Sequence, residues 1–268
     1  LVKLKMKSWS EGWSLNECRF FVKESPTDYL VSGKPVWKKE YVKSLFVWAE
    51  QGIGDEIMFA SCLKDLHEYT DNLIVSCDER LIPLHKRSFH SSISFIRKDH
   101  HLSENIYDYQ VSLGTAFGYL RQDSSQFERG RYSFIKADPH KVTFLRNTLK
   151  DVASGRRIIG ISWKSSAAKD QSCRSLQLEQ LVNYFPHNTL LVNLQYGDHA
   201  REIERVNQGS GKDIFVVNQI DNFHDLDGFA ALIQACDEVV SIDNSTVHFA
   251  GSMGVRCSVL LPFSHTSD

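Results

Sequence analysis

Short apolar runs alternate with amphipathic segments along most of this 268-residue chain. Apolar runs of strand length predict β-strands at residues 45–49, 73–77, 94–97 and 107–113. Between the first two runs, an i, i+3, i+4, i+7 spacing predicts a helix over residues 57–66; its apolar face is formed by Phe59, Cys62, Leu63 and Leu66. Strands that alternate with helices are typical of a parallel sheet with right-handed crossovers.

The same alternation returns in the second half of the chain. It predicts strands at residues 158–163, 189–194, 214–217, 238–242 and 257–261, and helices near 176–185, 199–207, 228–236 and 245–253. The predicted fold class is therefore α/β, with two doubly wound parallel sheets. In that class, the carboxyl ends of both sets of strands line a ligand-binding cleft between the halves.

Changes in composition along the chain predict its domain organisation. Residues 1–40 are rich in aromatic side chains but lack periodicity, and they precede a first α/β domain at residues 41–136. The chain turns polar over residues 121–157, where a helix opens at Asp138-Pro139. We take this polar stretch as the join to a second α/β domain at residues 137–268.

The overall composition excludes several classes of protein. A formal net charge of -2 without a run of lysine or arginine argues against a nucleic-acid-binding surface. No apolar run reaches the roughly 20 residues of a membrane-spanning helix, so no transmembrane segment is expected. The cysteines form no Cys-x-x-Cys pair and predict free thiols in a cytoplasmic protein; they are Cys18, Cys62, Cys77, Cys173, Cys236 and Cys257.

The segment from Asp237 to Gly254 carries the clearest candidate chemistry. A β-branched strand turns at Asp243-Asn244 into a short helix, which leaves the first amides of that helix unpaired at the edge of the sheet. These amides suit a phosphate, and nearby side chains add donors: Ser245, Thr246 and His248. The alternative is an ordinary helix of an α/β domain with Asn244 as its N-cap.

Five motifs follow one another in an order typical of one group of enzymes. They are Glu50-Gln-Gly-Ile-Gly-Asp-Glu56, Gly160-Ile-Ser-Trp-Lys164, Arg174-Ser-Leu176, Leu194-Gln195 and the Ser241–Gly254 segment. The chain resembles the glycosyltransferase domain linked to tetratricopeptide repeats in bacterial proteins, which is related to lipopolysaccharide heptosyltransferases and O-linked N-acetylglucosamine transferases. This resemblance implies the GT-B fold of two Rossmann-like domains, the acceptor side first and the nucleotide-sugar side second.

The resemblance also assigns residue roles in each half. In the first half it makes Asp55 the base for the acceptor, near Gly52 and Gly54, where the local sequence equally favours Asp55 as a helix N-cap. In the second half it places Lys164 on the donor phosphates, where the alternative is an exposed loop lysine. Further candidates on the donor side are Arg174, Gln195, Asp225, Asp243, Asn244, Ser245, Thr246 and His248.

Two of these candidates depart from, or compete with, the family pattern. Asn244 stands where the family has threonine. Asp225-Leu-Asp227 matches the Asp-x-Asp motif that binds manganese in the other large transferase fold. The motif stands immediately before apolar residues at helical spacing, however, so a role in capping that helix is the better interpretation. With no histidine–carboxylate motif for a metal either, the sequence predicts neither a metal nor another cofactor.

The predicted function is inverting, metal-independent transfer of a hexosyl or heptosyl group from a nucleotide-diphosphate sugar to a hydroxyl of an unidentified saccharide or protein. The alternatives are a nucleotide-sugar-binding module without turnover and a GT-B-like nucleotide-sugar epimerase. The family's tryptophan-rich segment and closing helices are absent after Asp268, so we expect an incomplete copy that binds nucleoside diphosphate but transfers sugar poorly.

Overall fold

The computed structural model describes residues 2–22, 29–128, 133–165, 175–209 and 211–262. The chain divides into two compact units, Leu1–Ile135 and Lys136–Asp268. Arg174 lies outside the described residues, so its predicted role stays a prediction. Within the described chain, none of the helices combines the length and apolar character that a membrane crossing needs.

The first unit contains four strands and seven α-helices among its described residues. The strands are β1 (Val42–Trp48), β2 (Thr70–Cys77), β3 (Ser94–Arg97) and β4 (Tyr109–Ser112). The helices are α1 (Val2–Lys5), α2 (Trp9–Asn16), α3 (Ile53–Ala60), α4 (Leu63–Leu66), α5 (Ile82–Ser88), α6 (Leu113–Leu120) and α7 (Ser124–Glu128).

All strand pairs in the first sheet are parallel, in the order β3-β2-β1-β4. Because side chains alternate along a strand, β1 serves two apolar layers. Leu45 and Val47 pack in the larger core, whereas Phe46 and Trp48 pack on the opposite face. The edge at which these strands end is called the carboxyl edge below.

The aromatic opening segment packs onto the first unit through α6. The position of a Cβ on Gly118 would lie 3.2 Å from the Trp13 ring, so a glycine there lets α2 approach closely. The indole nitrogen of Trp13 donates to the carbonyl of Arg121 at 2.8 Å. Trp9 contacts Phe127 with ring centroids 4.4 Å apart. These contacts are long-range, which is why the segment shows no periodicity of its own.

The second unit contains five strands and five helices among its described residues. The strands are β5 (Arg157–Ser162), β6 (Thr189–Asn193), β7 (Ile214–Phe215), β8 (Glu238–Ile242) and β9 (Cys257–Leu260). The helices are α8 (Pro139–Ala153), α9 (Leu178–Val182), α10 (Ala200–Gly209), α11 (Leu226–Ala235) and α12 (Ser245–Ser252). The sheet is parallel throughout, in the order β7-β6-β5-β8-β9.

The predicted α/β class with two parallel sheets is confirmed. The differences lie at element boundaries and in five helices of the first unit that the sequence did not predict, namely α1, α2, α5, α6 and α7. The helix expected at residues 57–66 is two helices, because the chain turns at Ser61, whose hydroxyl donates to the carbonyl of Met58 at 2.8 Å. The strand expected at 107–113 ends at Ser112. The hydroxyl of Ser112 accepts from the amide of Thr115 at 3.2 Å, which caps α6 and stops the strand.

Candidate functional site

A single buried amide organises the carboxyl edge of the second unit. Gln195 follows β6 and is only 2% exposed. Its side-chain oxygen accepts three hydrogen bonds from the end of the neighbouring strand, β5. The donors are the Ser162 hydroxyl at 3.0 Å, the Trp163 amide at 2.9 Å and the Lys164 amide at 2.8 Å. Gln195 therefore fixes the path of the chain where it leaves β5 and sets the backbone position of Lys164.

Asn244 joins the turn after β8 to the same strand end. It is the N-cap of α12, and its side-chain oxygen accepts from the Thr246 amide at 3.0 Å and from the Ser241 hydroxyl at 3.1 Å. Its side-chain nitrogen donates to the Ser162 hydroxyl at 2.8 Å and to the Lys164 carbonyl at 3.3 Å. Asparagine supplies both a donor and acceptors here, whereas threonine's single hydroxyl could not make this set of contacts.

The first turn of α12 only partly matches its predicted chemistry. Asn244 takes up two of the first amides, since the Val247 amide also donates to its carbonyl at 3.1 Å. The expectation that these amides are unpaired is therefore wrong for Thr246 and Val247. The hydroxyl of Thr246 is fully buried and has no hydrogen-bond partner in the described structure. Ser245 and His248 are half-buried, as is Asp243.

Lys164 forms an ion pair with a buried carboxylate. Its ammonium lies 2.6 Å from Glu202, and the two side chains are 33% and 10% exposed. The same carboxylate oxygen accepts from the indole of Trp163 at 3.4 Å and lies 3.3 Å from Nδ1 of His199. The alternative interpretation of Lys164 as an exposed loop lysine is therefore wrong.

The charge of Glu202 is set by two opposing effects. Burial raises the pKa of Glu202, but the hydrogen bond and the charge of Lys164 lower it, with further contributions from Trp163 and His199. The net result is a pKa below the ordinary value. Glu202 is thus a carboxylate at neutral pH and partly neutralises the lysine beside it. Sequence reasoning missed Glu202; its only signal is a three-residue spacing from His199.

The Asp225–Asp227 pair acts as a helix cap. Asp225 is the N-cap of α11 and accepts from the Gly228 amide at 2.8 Å. Lys141 pairs with Asp227 at 2.9 Å and lies 4.0 Å from Asp225. This agrees with the capping interpretation. Across the part of the chain that the structure describes, no three His, Cys, Asp or Glu side chains are grouped to hold a metal ion.

The candidate catalytic turn lies at the carboxyl edge of the first unit, between β1 and α3. Gly52 is the N-cap of α3, with an extended backbone, and Gly54 is the second residue of the helix. Asp55 follows in the first turn, and a Cβ on Gly52 would lie 3.8 Å from the carboxylate of Asp55. The interpretation of Asp55 as the N-cap is therefore wrong, because Gly52 holds that position.

A cavity of about 610 Å³ opens beside this turn. It lies at the ends of β1, β2 and β3, where ligands of parallel sheets commonly bind. Its lining includes Trp48, Ala49, Ser76, Lys98, His101 and Tyr107. Its size is that of a small-molecule site.

The described cysteines carry free thiols. Burial raises the pKa of Cys62, Cys77 and Cys236 to about 12. Thiols with such values are not nucleophiles at neutral pH. We therefore place none of the three in the site.

Comparison of the sequence with known proteins finds one curated relative. No family model matches the chain. It is 30% identical over 269 residues to Protein FlbA of Caulobacter vibrioides, a match that covers 93% of this chain and 45% of that protein. The chain thus spans less than half the length of this curated relative.

Several solved structures match most of the chain. The glycosyl transferase family 9 structure from Veillonella parvula superposes with a TM-score of 0.61 at 12% identity, covering 86% of this chain and 84% of that one. The ADP-heptose lipopolysaccharide heptosyltransferase II of E. coli gives 0.52 at 14% identity, with coverage of 83% and 88%. The chain has the fold of GT-B glycosyltransferases.

A third structure with this fold was determined with a nucleotide sugar. The dodecameric iron-containing heptosyltransferase TibC, in complex with ADP-D-β-D-heptose, matches with a TM-score of 0.53 at 10% identity, over 90% of this chain and 63% of that one. At these identities the likeness establishes the fold, and the chemistry of this chain has to be argued from its own residues.

Proposed function

We propose that this chain is a glycosyltransferase region, of the type linked to tetratricopeptide repeats, that moves a sugar from a nucleotide-diphosphate donor to an acceptor hydroxyl. The observation that carries this proposal is the buried network of Gln195 and Asn244, which holds Lys164 at the carboxyl edge of the second sheet. A GT-B fold with a fixed lysine at this edge suits a donor diphosphate. The acceptor is a saccharide or protein hydroxyl, and the transferred group is a hexose or heptose.

In the proposed reaction the acceptor oxygen attacks the anomeric carbon of the donor sugar from the face opposite the diphosphate. The new carbon–oxygen bond forms as the bond to the phosphate oxygen breaks, which inverts the configuration. Asp55 takes the proton of the acceptor hydroxyl, and the nucleoside diphosphate leaves with the bonding electron pair. Lys164 stabilises the negative charge on the departing phosphate without the help of a metal.

The side chains around Lys164 suit this role. In the structure the charge of Lys164 is paired with that of Glu202, which also contacts Trp163 and His199. When a diphosphate binds, we infer that Lys164 turns toward it while the other two contacts keep Glu202 satisfied. Ser245 and His248, in the adjacent turn, supply hydrogen bonds to the same phosphates. The buried free thiols fit a reducing compartment, so we place the protein in the cytoplasm.

The effect of Lys164→Ala on ligand binding tests this assignment. Because a hydrogen bond to a charged group contributes about 1.5–3 kcal/mol, we expect the affinity for a nucleoside diphosphate to fall about ten- to a hundredfold. The affinity for the nucleoside without phosphates should stay the same. Titration calorimetry with both ligands measures the difference.

A matched control is Arg205→Ala, which removes a cation that pairs with Glu179 on the surface of the same unit and should leave both affinities unchanged. Equal losses for diphosphate and nucleoside in Lys164→Ala would show that the substitution damages the fold and does not remove a phosphate contact.

A further inference from the structure

Two glutamates border the candidate catalytic turn, and both are almost completely buried. Glu50 lies at the start of the turn, and Glu56 lies in the first half of α3, just after Asp55. Their side chains are 1% and 2% exposed. Carboxylates are rarely buried so fully without partners. The partners of these two connect the turn to every other strand of the first sheet.

Glu50 connects the turn to β4 and to the aromatic opening segment. Its carboxylate accepts from the guanidinium of Arg19 at 2.9 Å and from the Gly114 amide at 3.2 Å. A Cβ on Gly114 would lie 2.5 Å from that oxygen, so only glycine leaves room for this contact. The same Arg19 nitrogen donates to the hydroxyls of Ser112 and Thr115 at 3.0 and 2.9 Å.

Glu56 connects the other end of the turn to β2 and β3. One of its oxygens accepts from the Asp78 amide, just after β2, at 2.9 Å. The other pairs with the ammonium of Lys98, just after β3. Lys98 also donates to the carbonyl of Gln51 at 2.8 Å, so it holds both the turn and the helix that follows it.

These ion pairs are poorly suited to increase stability alone. Burial raises the pKa of Glu50 and of Glu56, and the charges of Arg19 and Lys98 only partly offset that effect. Removing charges from water costs several kcal/mol per ion, and apolar replacements of such pairs are often neutral or stabilising. The pairs instead fix the position of the turn, because each carboxylate accepts hydrogen bonds from two donors that lie in different directions.

We propose that Glu50 and Glu56 are positioning residues that clamp the turn containing Gly52, Gly54 and Asp55 to the other strand ends. This inference rests on the proposed function, in which Asp55 is the base. A base must lie within hydrogen-bond reach of the proton it removes, and an error near 1 Å can cost about 10²-fold in rate. Through Arg19, the opening segment becomes part of the frame of the site.

The test is the double substitution Glu56→Gln with Lys98→Met, which removes the contacts of Lys98 to Glu56 and to Gln51 without leaving an unpaired buried charge. The control is Arg97→Met, which removes the neighbouring cation; its ion pairs with Asp99 and Glu79 lie on the surface. Three measurements are made on the whole chain: the melting temperature, the amide exchange of residues 49–60 relative to α8, and steady-state kinetics that give kcat and donor KM.

The double variant should keep its melting temperature within about 5 °C of the parent. Amide exchange at residues 49–60 should accelerate at least about tenfold while exchange in α8 is unchanged. The value of kcat should fall about 10²-fold with donor KM within about twofold, because geometry and not donor binding is lost. Arg97→Met should match the parent in all three measurements.

Unchanged exchange at residues 49–60 overturns the inference, and so does an unchanged kcat in an active parent. The proposed function fails on a different result, namely a parent chain that binds no nucleoside diphosphate. The exchange measurement still decides whether the clamp exists, because faster exchange confined to residues 49–60 supports it without any assay of activity.

Discussion

Asp55→Asn is expected to lower the rate of sugar transfer by about 10²–10⁴-fold, because it removes the proposed base for the acceptor proton. Gly52, and not Asp55, holds the N-cap position of α3. Asparagine has nearly the same shape as aspartate, and donor binding in the second unit should be unaffected.

The measurement is the initial rate of transfer at saturating donor, with donor affinity determined in parallel. Asp71→Asn is a suitable control, because Asp71 is an exposed carboxylate of the same unit that hydrogen-bonds only with Tyr41 among the contacts described for it. A rate near that of the parent in Asp55→Asn would contradict the assignment of the base.

His85→Leu is expected to remove much of the acid sensitivity of the first unit. His85 lies in α5, is 1% exposed, and has its ring 5.6 Å from that of Phe89 and 5.2 Å from that of Phe95. Neither of its ring nitrogens has a hydrogen-bond partner in the described structure. Burial lowers the pKa of His85 from 6.5 to about 4, because the charged ring is excluded from an apolar core.

The sign of the effect follows from where the proton binds. The unfolded chain takes up this proton near pH 6.5 and the folded chain only near pH 4. Above pH 6.5 the ring is neutral in both states and costs no stability. As the pH falls from 6.5 toward 4, only the unfolded chain binds the proton, so the free energy of unfolding falls by about 3 kcal/mol.

Urea unfolding at neutral and at acidic pH measures this loss. Tryptophan fluorescence is a suitable probe, because the first unit contains Trp9, Trp13, Trp37 and Trp48. The free energy of unfolding of His85→Leu should fall less on acidification than that of the parent. His100→Leu, at an exposed position, should behave as the parent does. An equal loss in the parent and in His85→Leu would show that other groups cause the acid sensitivity.

The fold could be predicted because its information is local. The inner strands of a parallel sheet are buried on both faces, so apolar runs mark these strands directly. The nine strands of the described part of the chain lie where the apolar runs are, within a few residues at their ends. The opening segment could not be predicted in this way. Trp9 and Trp13 find their partners more than 100 residues later, and no local pattern encodes such contacts.

The sequence indicates candidate positions for a site but not the contacts that these residues make. Lys164, Gln195 and Asn244 were recognisable from motifs at strand ends. Their hydrogen bonds depend on which strands become neighbours, and β5 lies between β6 and β8 only in the folded sheet. Glu202 was missed because an acidic residue in an amphipathic helix is normally on the surface, whereas here it accompanies a buried tryptophan.

The donor assignment as a whole is tested most directly by titration calorimetry of this chain with nucleoside diphosphates and with the corresponding nucleosides. The account predicts that at least one diphosphate binds with a dissociation constant below about 1 mM, and that its nucleoside binds at least about tenfold more weakly, because the lysine and the α12 turn recognise the phosphates. A chain that binds no nucleoside diphosphate, or that binds diphosphate and nucleoside equally, would contradict it.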